Sequence, residues 1–274
     1  MGMPKTCLKE RREMKRILAL TLAMLLLACA LSACSGKETG DGGTIAPVVT
    51  NTNVHAVEGS QYNDQLYFDF INGDEIVITG LAASHDPHAL TIPATIQDRP
   101  VTTIAVGAFK NMVNLTAVTL PDSITTIGDL AFAECTALAS LNIPANVTLI
   151  GDAAFTNTAL TAVTLPDSIL ALGKMAFYGC RSLASVKLPT NLETIQTQTF
   201  MDCVELTTVT VGDKVKTIES YAFMGCTQLT GVTVPTSVTT IGKMAFAGCT
   251  ALTKPEVAGT VTVGENAFYG TVGA

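Results

Sequence analysis

From residue 115 onward, apolar and polar positions recur in one pattern. Residues 115–137 read LTAVTLPDSITTIGDLAFAECTA, and residues 229–251 read LTGVTVPTSVTTIGKMAFAGCTA. The first segment of each copy alternates apolar and polar residues, as a half-buried strand does. Its inward pairs are Val118/Leu120, Leu141/Ile143, Val163/Leu165, Val186/Leu188, Val209/Val211 and Val232/Val234. Proline follows at Pro121, Pro144, Pro166, Pro189 and Pro235, with Gly212 and Ala258 in its place in two copies. Lacking an amide proton, proline cannot continue a ladder, so the chain turns there. A second extended segment, Ser123 to Ile127 in the first of these copies, leads to a glycine slot. The short stretch after it has room for one helical or 3₁₀ turn at most. Gly128, Gly151, Gly173, Gly242 and Gly264 fill the glycine slot, but so do Ala105, Gln196 and Glu219. A strictly left-handed backbone is therefore not expected there.

Phe109, Phe132, Phe155, Phe177, Phe200, Phe223, Phe246 and Phe268 follow one another at intervals of 22 or 23 residues. A period in the twenties predicts a repeat solenoid, in which one short unit stacks on copies of itself. Stacking at about 4.8 Å gives a parallel sheet whose eight rungs span roughly 35–40 Å. Alanine precedes the phenylalanine in seven of the eight copies, which places the ring on the buried side as core. Cys135, Cys180, Cys203, Cys226 and Cys249 each lie three residues after a phenylalanine. Met112 takes that slot in the first copy, and a one-residue deletion leaves Asn157-Thr158 there in the third. Side chains held parallel on successive rungs keep their Cβ atoms near 4.8 Å apart, beyond the roughly 3.5–4.5 Å of a disulfide. A linear row also does not converge into a tetrahedral metal site. These cysteines are expected to be buried free thiols that pack as small hydrophobes.

Ahead of the repeats, Tyr67 to Ile71 and Glu75 to Ile78 flank Asn72-Gly73, a hairpin signal. Residues 54–88 are expected to form an N-terminal hairpin cap over the first rung, where open strand edges would otherwise pair with other chains. Further upstream, Lys9, Arg11, Arg12, Lys15 and Arg16 precede an apolar run from Ile17 to about Leu31, then Leu31-Ser32-Ala33-Cys34. That order of charge, apolar core and small residues is that of a secretory signal. Residues 34–53, rich in Gly, Thr and Asn, read as a flexible stalk. Removing the six basic and two acidic residues among the first 33 leaves ten basic and 21 acidic residues, a net charge of −11. Such a body disfavours nucleic acid and anionic lipid as partners.

Two resemblances follow from these residues. Leu31-Ser32-Ala33-Cys34 resembles the lipobox of bacterial lipoproteins. That implies a signal peptide over residues 1–33, lipidation of Cys34, and an extracytoplasmic protein tethered to a membrane by its lipid alone. An uncleaved anchor or a plain secretory signal are the alternatives. The L-x-x-V-x-L-P and I-G-x-x-A-F blocks over residues 89–274 resemble the BspA-like class of leucine-rich repeats. Leu90 to Ile96, followed by Arg99 to Ile104, resembles that class's longer first repeat. The resemblance implies a leucine-rich-repeat-type right-handed β/α superhelix, β-rich, with short helical or 3₁₀ turns and its sheet on the concave side. It also implies adhesion-type binding of proteins or glycans.

Candidate chemistry is sparse. His85-Asp86-Pro87-His88 holds two histidines and a carboxylate, but Pro87 breaks any helix that would align them, and a surface loop is expected. His55 is the only other histidine, too little for a Ser-His-Asp or Cys-His set. Asp122, Asp129, Asp152 and Asp167 sit at turn positions of the repeat and are expected to be structural. The sequons at Asn114 and Asn146 fall on repeat positions as well. No metal, cofactor or enzymatic activity is expected. The candidate binding face is the outward side of the strands: Thr119, Ser140, Asn142, Thr164, Ser185, Lys187, Thr208, Thr210 and Thr233, beside Ala117, Ala162 and Gly231. An extracellular protein or a glycan is the expected partner. The alternative is a structural scaffold that associates weakly with itself through the convex side or the C-terminal edge, where Lys254-Pro255-Glu256 makes the last copy irregular.

Overall fold

The computed structural model describes residues 60–62, 65–82, 86–257 and 259–273. Cys34, the signal and stalk segments, His55, His85 and Ala258 lie outside them. The chain opens with β1 (Ser60–Tyr62), β2 (Leu66–Ile71) and β3 (Glu75–Leu81). The first repeat supplies β4 (Ala89–Thr91), β5 (Thr95–Ile96) and β6 (Arg99–Ile104). Each later unit contributes a strand from its first segment and a two-residue strand from its second. These pairs are β7 (Ala117–Thr119) with β8 (Thr126–Ile127), β9 (Ser140–Leu141) with β10 (Leu149–Ile150), and β11 (Ala162–Thr164) with β12 (Ala171–Leu172). They continue as β13 (Ser185–Lys187) with β14 (Thr194–Ile195), β15 (Thr208–Thr210) with β16 (Thr217–Ile218), and β17 (Gly231–Thr233) with β18 (Thr240–Ile241). The last unit adds β19 (Thr262–Val263).

The expected hairpin is present. β2 and β3 pair antiparallel with Ile71 opposite Glu75, and Asn72 and Gly73 in the loop hold φ of 53° and 82°. β3 then runs parallel to β6 and occupies the edge of the first rung. A second, unforeseen hairpin joins β5 to β6. Ile96 opposes Arg99 across Gln97 and Asp98, whose φ values are 52° and 62°. Two positive φ angles in a two-residue loop define a type I′ turn, which favours Asn-Gly. Replacing Gln97 by Asn together with Asp98 by Gly should stabilise the protein by about 1 kcal/mol, because each left-handed non-glycine residue costs about that much. A higher urea midpoint at unchanged slope is the expected reading.

The core follows the alternation. Val118, Leu120, Leu141, Val163, Leu165, Val186, Leu188, Val209 and Val211 are buried, while Ile143, Val232 and Val234 are partly buried against the same cluster. The eight phenylalanines form one column. Successive ring centroids lie 5.2–5.6 Å apart, with interplanar angles of 2–21°.

Three sequence expectations are corrected. First, the second extended segment is shorter than Ser123 to Ile127. Ile124 closes a turn onto the Pro121 carbonyl, and only Thr126–Ile127 is strand. Second, no helix forms among the described residues. In the unit of Phe132, the amides of Leu130, Phe132 and Glu134 donate to the next unit at Asp152, Ala154 and Thr156. The alternate amides of Ala131, Ala133 and Cys135 close four-residue turns onto the carbonyls of Gly128, Leu130 and Phe132. That alternation requires left-handed backbone two residues before and after each phenylalanine, as at Leu130 (φ 57°) and Glu134 (φ 63°). A helix would aim every amide along its own axis and leave the units unbonded. Third, the first-segment strands do not make one sheet of eight rungs. They make a three-stranded sheet, β4-β7-β9, and a four-stranded sheet, β11-β13-β15-β17. The separation falls where the chain is one residue short between Phe155 and Phe177. The second-segment strands are also split, between β12 and β14.

The glycine slot is not left-handed, as expected. Its requirement is space. A Cβ at Gly173 would lie 2.4–2.5 Å from backbone atoms of Gly151 and Asp152 in the preceding unit.

Candidate binding face

Parallel pairing sets the candidate residues in columns. Ala162, Ser185, Thr208 and Gly231 are in register, and so are Thr164, Lys187, Thr210 and Thr233. Between the columns lie Val163, Val186, Val209 and Val232, facing inward. The six polar members of the four-stranded sheet are all exposed. Thr119 and Ser140 belong to the three-stranded sheet and are exposed as well.

The hydroxyls divide by position. Thr116, Thr207 and Thr230, just before the strands, donate to the carbonyls of His88, Ala184 and Thr207 in the preceding unit. Those of Thr119, Ser140, Thr164, Ser185, Thr208, Thr210 and Thr233 bond to no described residue. Asn142 differs from the others. Its side-chain amide faces the backbone N–H and carbonyl of Leu120, both at 3.4 Å, and stands in for ladder bonds where β9 has ended. It is a structural bridge as well as an exposed residue. Lys187 is the one cation in these columns. Its charge helps to lower the carboxyl of Asp167, which is held below the ordinary range mainly by the Thr190 N–H. The arrangement offers hydroxyls at rung spacing around one ammonium. It can hydrogen-bond an extended polar ligand but has no aromatic platform.

The other candidate groups serve the repeat. Asp129 and Asp152 accept the amides of Asp152 and Lys174, and Asp167 accepts that of Thr190. They are bridges between units, a role that turn position alone did not reveal. Asp86 accepts from the Asn114 side chain at 2.6 Å, and His88 Nδ1 lies 3.2 Å from the Asn114 carbonyl. The Asn146 side chain donates to the Asp122 carbonyl.

All five repeat cysteines are free and buried. They do more than fill space. Each thiol donates to the carbonyl of the phenylalanine one unit back, at 3.0–3.2 Å. Where threonine replaces cysteine, at Thr158 and Thr271, the hydroxyl donates to the phenylalanine carbonyl of its own unit. Burial pushes the Cys135 and Cys180 thiols up to about 11 from an ordinary 9.0, and also raises Cys203 and Cys226 well above the ordinary value. The neutral thiol is thus the form that the fold favours. Its stabilising contribution is complete below pH about 9 and is lost as pH rises through about 11. The urea midpoint should hold steady from pH 7 to 8.5 and fall between pH 9 and 11. Cys180→Ala should flatten that fall.

Parallel ladders of short strands, two to a unit, with a buried aromatic column and short turns define a leucine-rich-repeat solenoid. The BspA type leucine rich repeat region, in six copies, matches residues 102–230 and 149–273, and the chain belongs to that family. A leucine-rich repeat protein from Bacteroides ovatus is 26% identical with a TM-score of 0.65, over 77% of this chain and 62% of that one. This chain therefore spans less than two thirds of that relative. The leucine rich repeat protein of T. pallidum is 30% identical with a TM-score of 0.66, over 71% of this chain and 91% of that one. No curated protein matches the chain.

Proposed function

We propose that this is a non-enzymatic, extracytoplasmic binding protein, lipid-anchored at Cys34, whose four-stranded sheet face binds a protein or a glycan in the manner of an adhesin. The observation that carries the reading is the set of exposed, internally unpartnered hydroxyls in register around Lys187. The repeat uses threonine hydroxyls for its own bonding one position earlier, so a regular supply of spare ones on the strands suits an external partner. Protein hot spots are rich in Trp, Tyr and Arg, and these columns contain none. Single contacts are therefore weak, and affinity comes from many copies on one surface.

The test displays residues 55–274 on beads against matrix proteins, mucins and a glycan array. A variant carrying Thr164→Glu, Lys187→Glu and Thr210→Glu runs beside it. Binding that the variant loses supports the face. Equal binding by both moves the site elsewhere, and no binding by folded, clustered protein removes the reading. Exposed Val263 and Val272 in the last unit favour a second reading, self-association through the β19 edge. A sedimentation coefficient that rises with concentration would support it.

A further inference from the structure

We propose that the unit of residues 160–182 is a joint, at which the rungs on either side tilt relative to one another, each junction opening along one sheet face while the turn column and the other face stay bonded. This is independent of whether the sheet face binds anything. In most units, one amide before the first strand bonds back to the equivalent carbonyl of the unit before. Ala139 donates to Thr116, Ala184 to Thr161, Thr207 to Ala184 and Thr230 to Thr207, at 2.9–3.1 Å. The equivalent bond from Thr161 to Ala139 is missing, and β9 does not pair with β11. On the other face, Leu170 donates to Thr148 and Lys216 to Glu193, while Gly173 donates to Ile150 and Glu219 to Ile195. The equivalent bonds from Glu193 to Leu170 and from Gln196 to Leu172 are missing, and β12 does not pair with β14. Both faces are therefore open at the same unit, one on each side of it.

The turn column crosses this unit unbroken. Ala153, Phe155 and Asn157 donate to Lys174, Ala176 and Tyr178, each at 2.8 Å. Met175, Phe177 and Gly179 donate in turn to Thr197, Thr199 and Met201 at 3.1, 2.9 and 2.8 Å. The Phe177 ring stacks on Phe155 and Phe200 at 5.3 and 5.6 Å. Each junction also keeps one closed face, β10 with β12 on the N-terminal side and β11 with β13 on the C-terminal side. A junction bonded along two columns and open along the third has the form of a hinge, and the two junctions open on opposite faces.

The sequence supplies two causes. The chain is one residue short just before Leu160, so β11 starts out of step with β9 while Leu160 stays buried. Gln196 stands in the slot where a Cβ meets backbone of the preceding unit at 2.4–2.5 Å when the ladder is closed, as at Gly173. Glu219 carries a side chain in that slot with its ladder closed, so Gln196 acts together with the shortened turn.

Spin labels at Thr119→Cys and Thr233→Cys straddle the joint, with Cys7, Cys29 and Cys34 changed to serine and the buried thiols left native. Pulsed EPR on the full chain should give a broad distance distribution centred near 24 Å, five rungs at about 4.8 Å. A repaired chain, with one threonine inserted between Thr158 and Ala159 and Gln196→Gly, should narrow it about two-fold. Gln196→Gly alone, which leaves the turn intact, should narrow it partially. Hydrogen exchange should show the amides of Thr161, Glu193 and Gln196 exchanging at least about 100-fold faster than those of Ala184, Lys216 and Glu219. Those of Phe155 and Phe177 should stay as slow as that of Phe132. A narrow distribution in the unrepaired chain overturns the joint, as does fast exchange at Phe155 and Phe177, which would mean that the whole unit unfolds.

Discussion

Phe177→Ala should lower the unfolding free energy by about 3–5 kcal/mol, the range for emptying a fully buried aromatic site. The ring is 0% exposed and lies between two others, stacked within 2° of the Phe200 plane and 12° of the Phe155 plane. Alanine removes the transfer energy of the ring and leaves a gap that neighbouring rungs cannot close. Their positions are fixed by turn amides at 2.8–2.9 Å on either side of Phe177. The same change at the end of the column should cost roughly half as much, because Phe268 stacks on Phe246 alone and keeps 6% of its surface exposed. Urea unfolding followed by far-ultraviolet circular dichroism, with slopes compared, distinguishes the two. Equal losses at Phe177 and Phe268 would mean that the column is a set of independent sites and not a stack.

Gly173→Ala should cost about 1–3 kcal/mol or somewhat more, although it adds a single methyl group. The new Cβ would lie 2.4–2.5 Å from the Gly151 carbonyl carbon and oxygen and the Asp152 nitrogen. These are backbone atoms held by the ladder, since Gly173 itself donates to the Ile150 carbonyl at 2.8 Å. None is the end of a flexible side chain, so relief requires the two rungs to part. Gly231→Ala is the control. Nothing lies within 4 Å of its added Cβ, its φ is not positive, and it sits on the exposed strand face. That change should be neutral or stabilising by about 0.5–1 kcal/mol through reduced freedom of the unfolded chain. A loss at Gly231 as large as that at Gly173 would remove close approach of the rungs as the reason for the slot.

Legibility varied with the range of the interaction. Val118, Val163 and Val209 were placed inward by their own strand's alternation, and the hairpin by Asn72-Gly73, because both signals are local. The candidate face was legible as an exposed strand side for the same reason. Whether its hydroxyls are free was not, because Thr207 and Thr208 differ only in what the neighbouring unit offers them. Asn142 looked like another outward strand residue. Its bridging role depends on the backbone of Leu120, 22 residues away. Length left the turns room for one helical or 3₁₀ turn at most, and the family resemblance implied such turns, yet inter-unit bonding at Leu130, Phe132 and Glu134 imposes another backbone. Left-handed leucine, methionine and tyrosine are disfavoured by themselves, so no local propensity points to them.

The sequence alone determined the repeat length, the number of units, the aromatic column and the burial of unpaired cysteines, since each is a period or a spacing that any stack of equal units must honour. The tertiary structure decided what the units do to one another. It set the thiols on phenylalanine carbonyls one unit back, made the glycine slot a matter of clearance, and opened the sheets on both sides of residues 160–182. A missing residue after Thr158 and a glutamine at 196 are small irregularities in a string of letters. They become breaks only when rungs must meet at hydrogen-bonding distance, where a shift of one residue leaves N–H and carbonyl facing nothing.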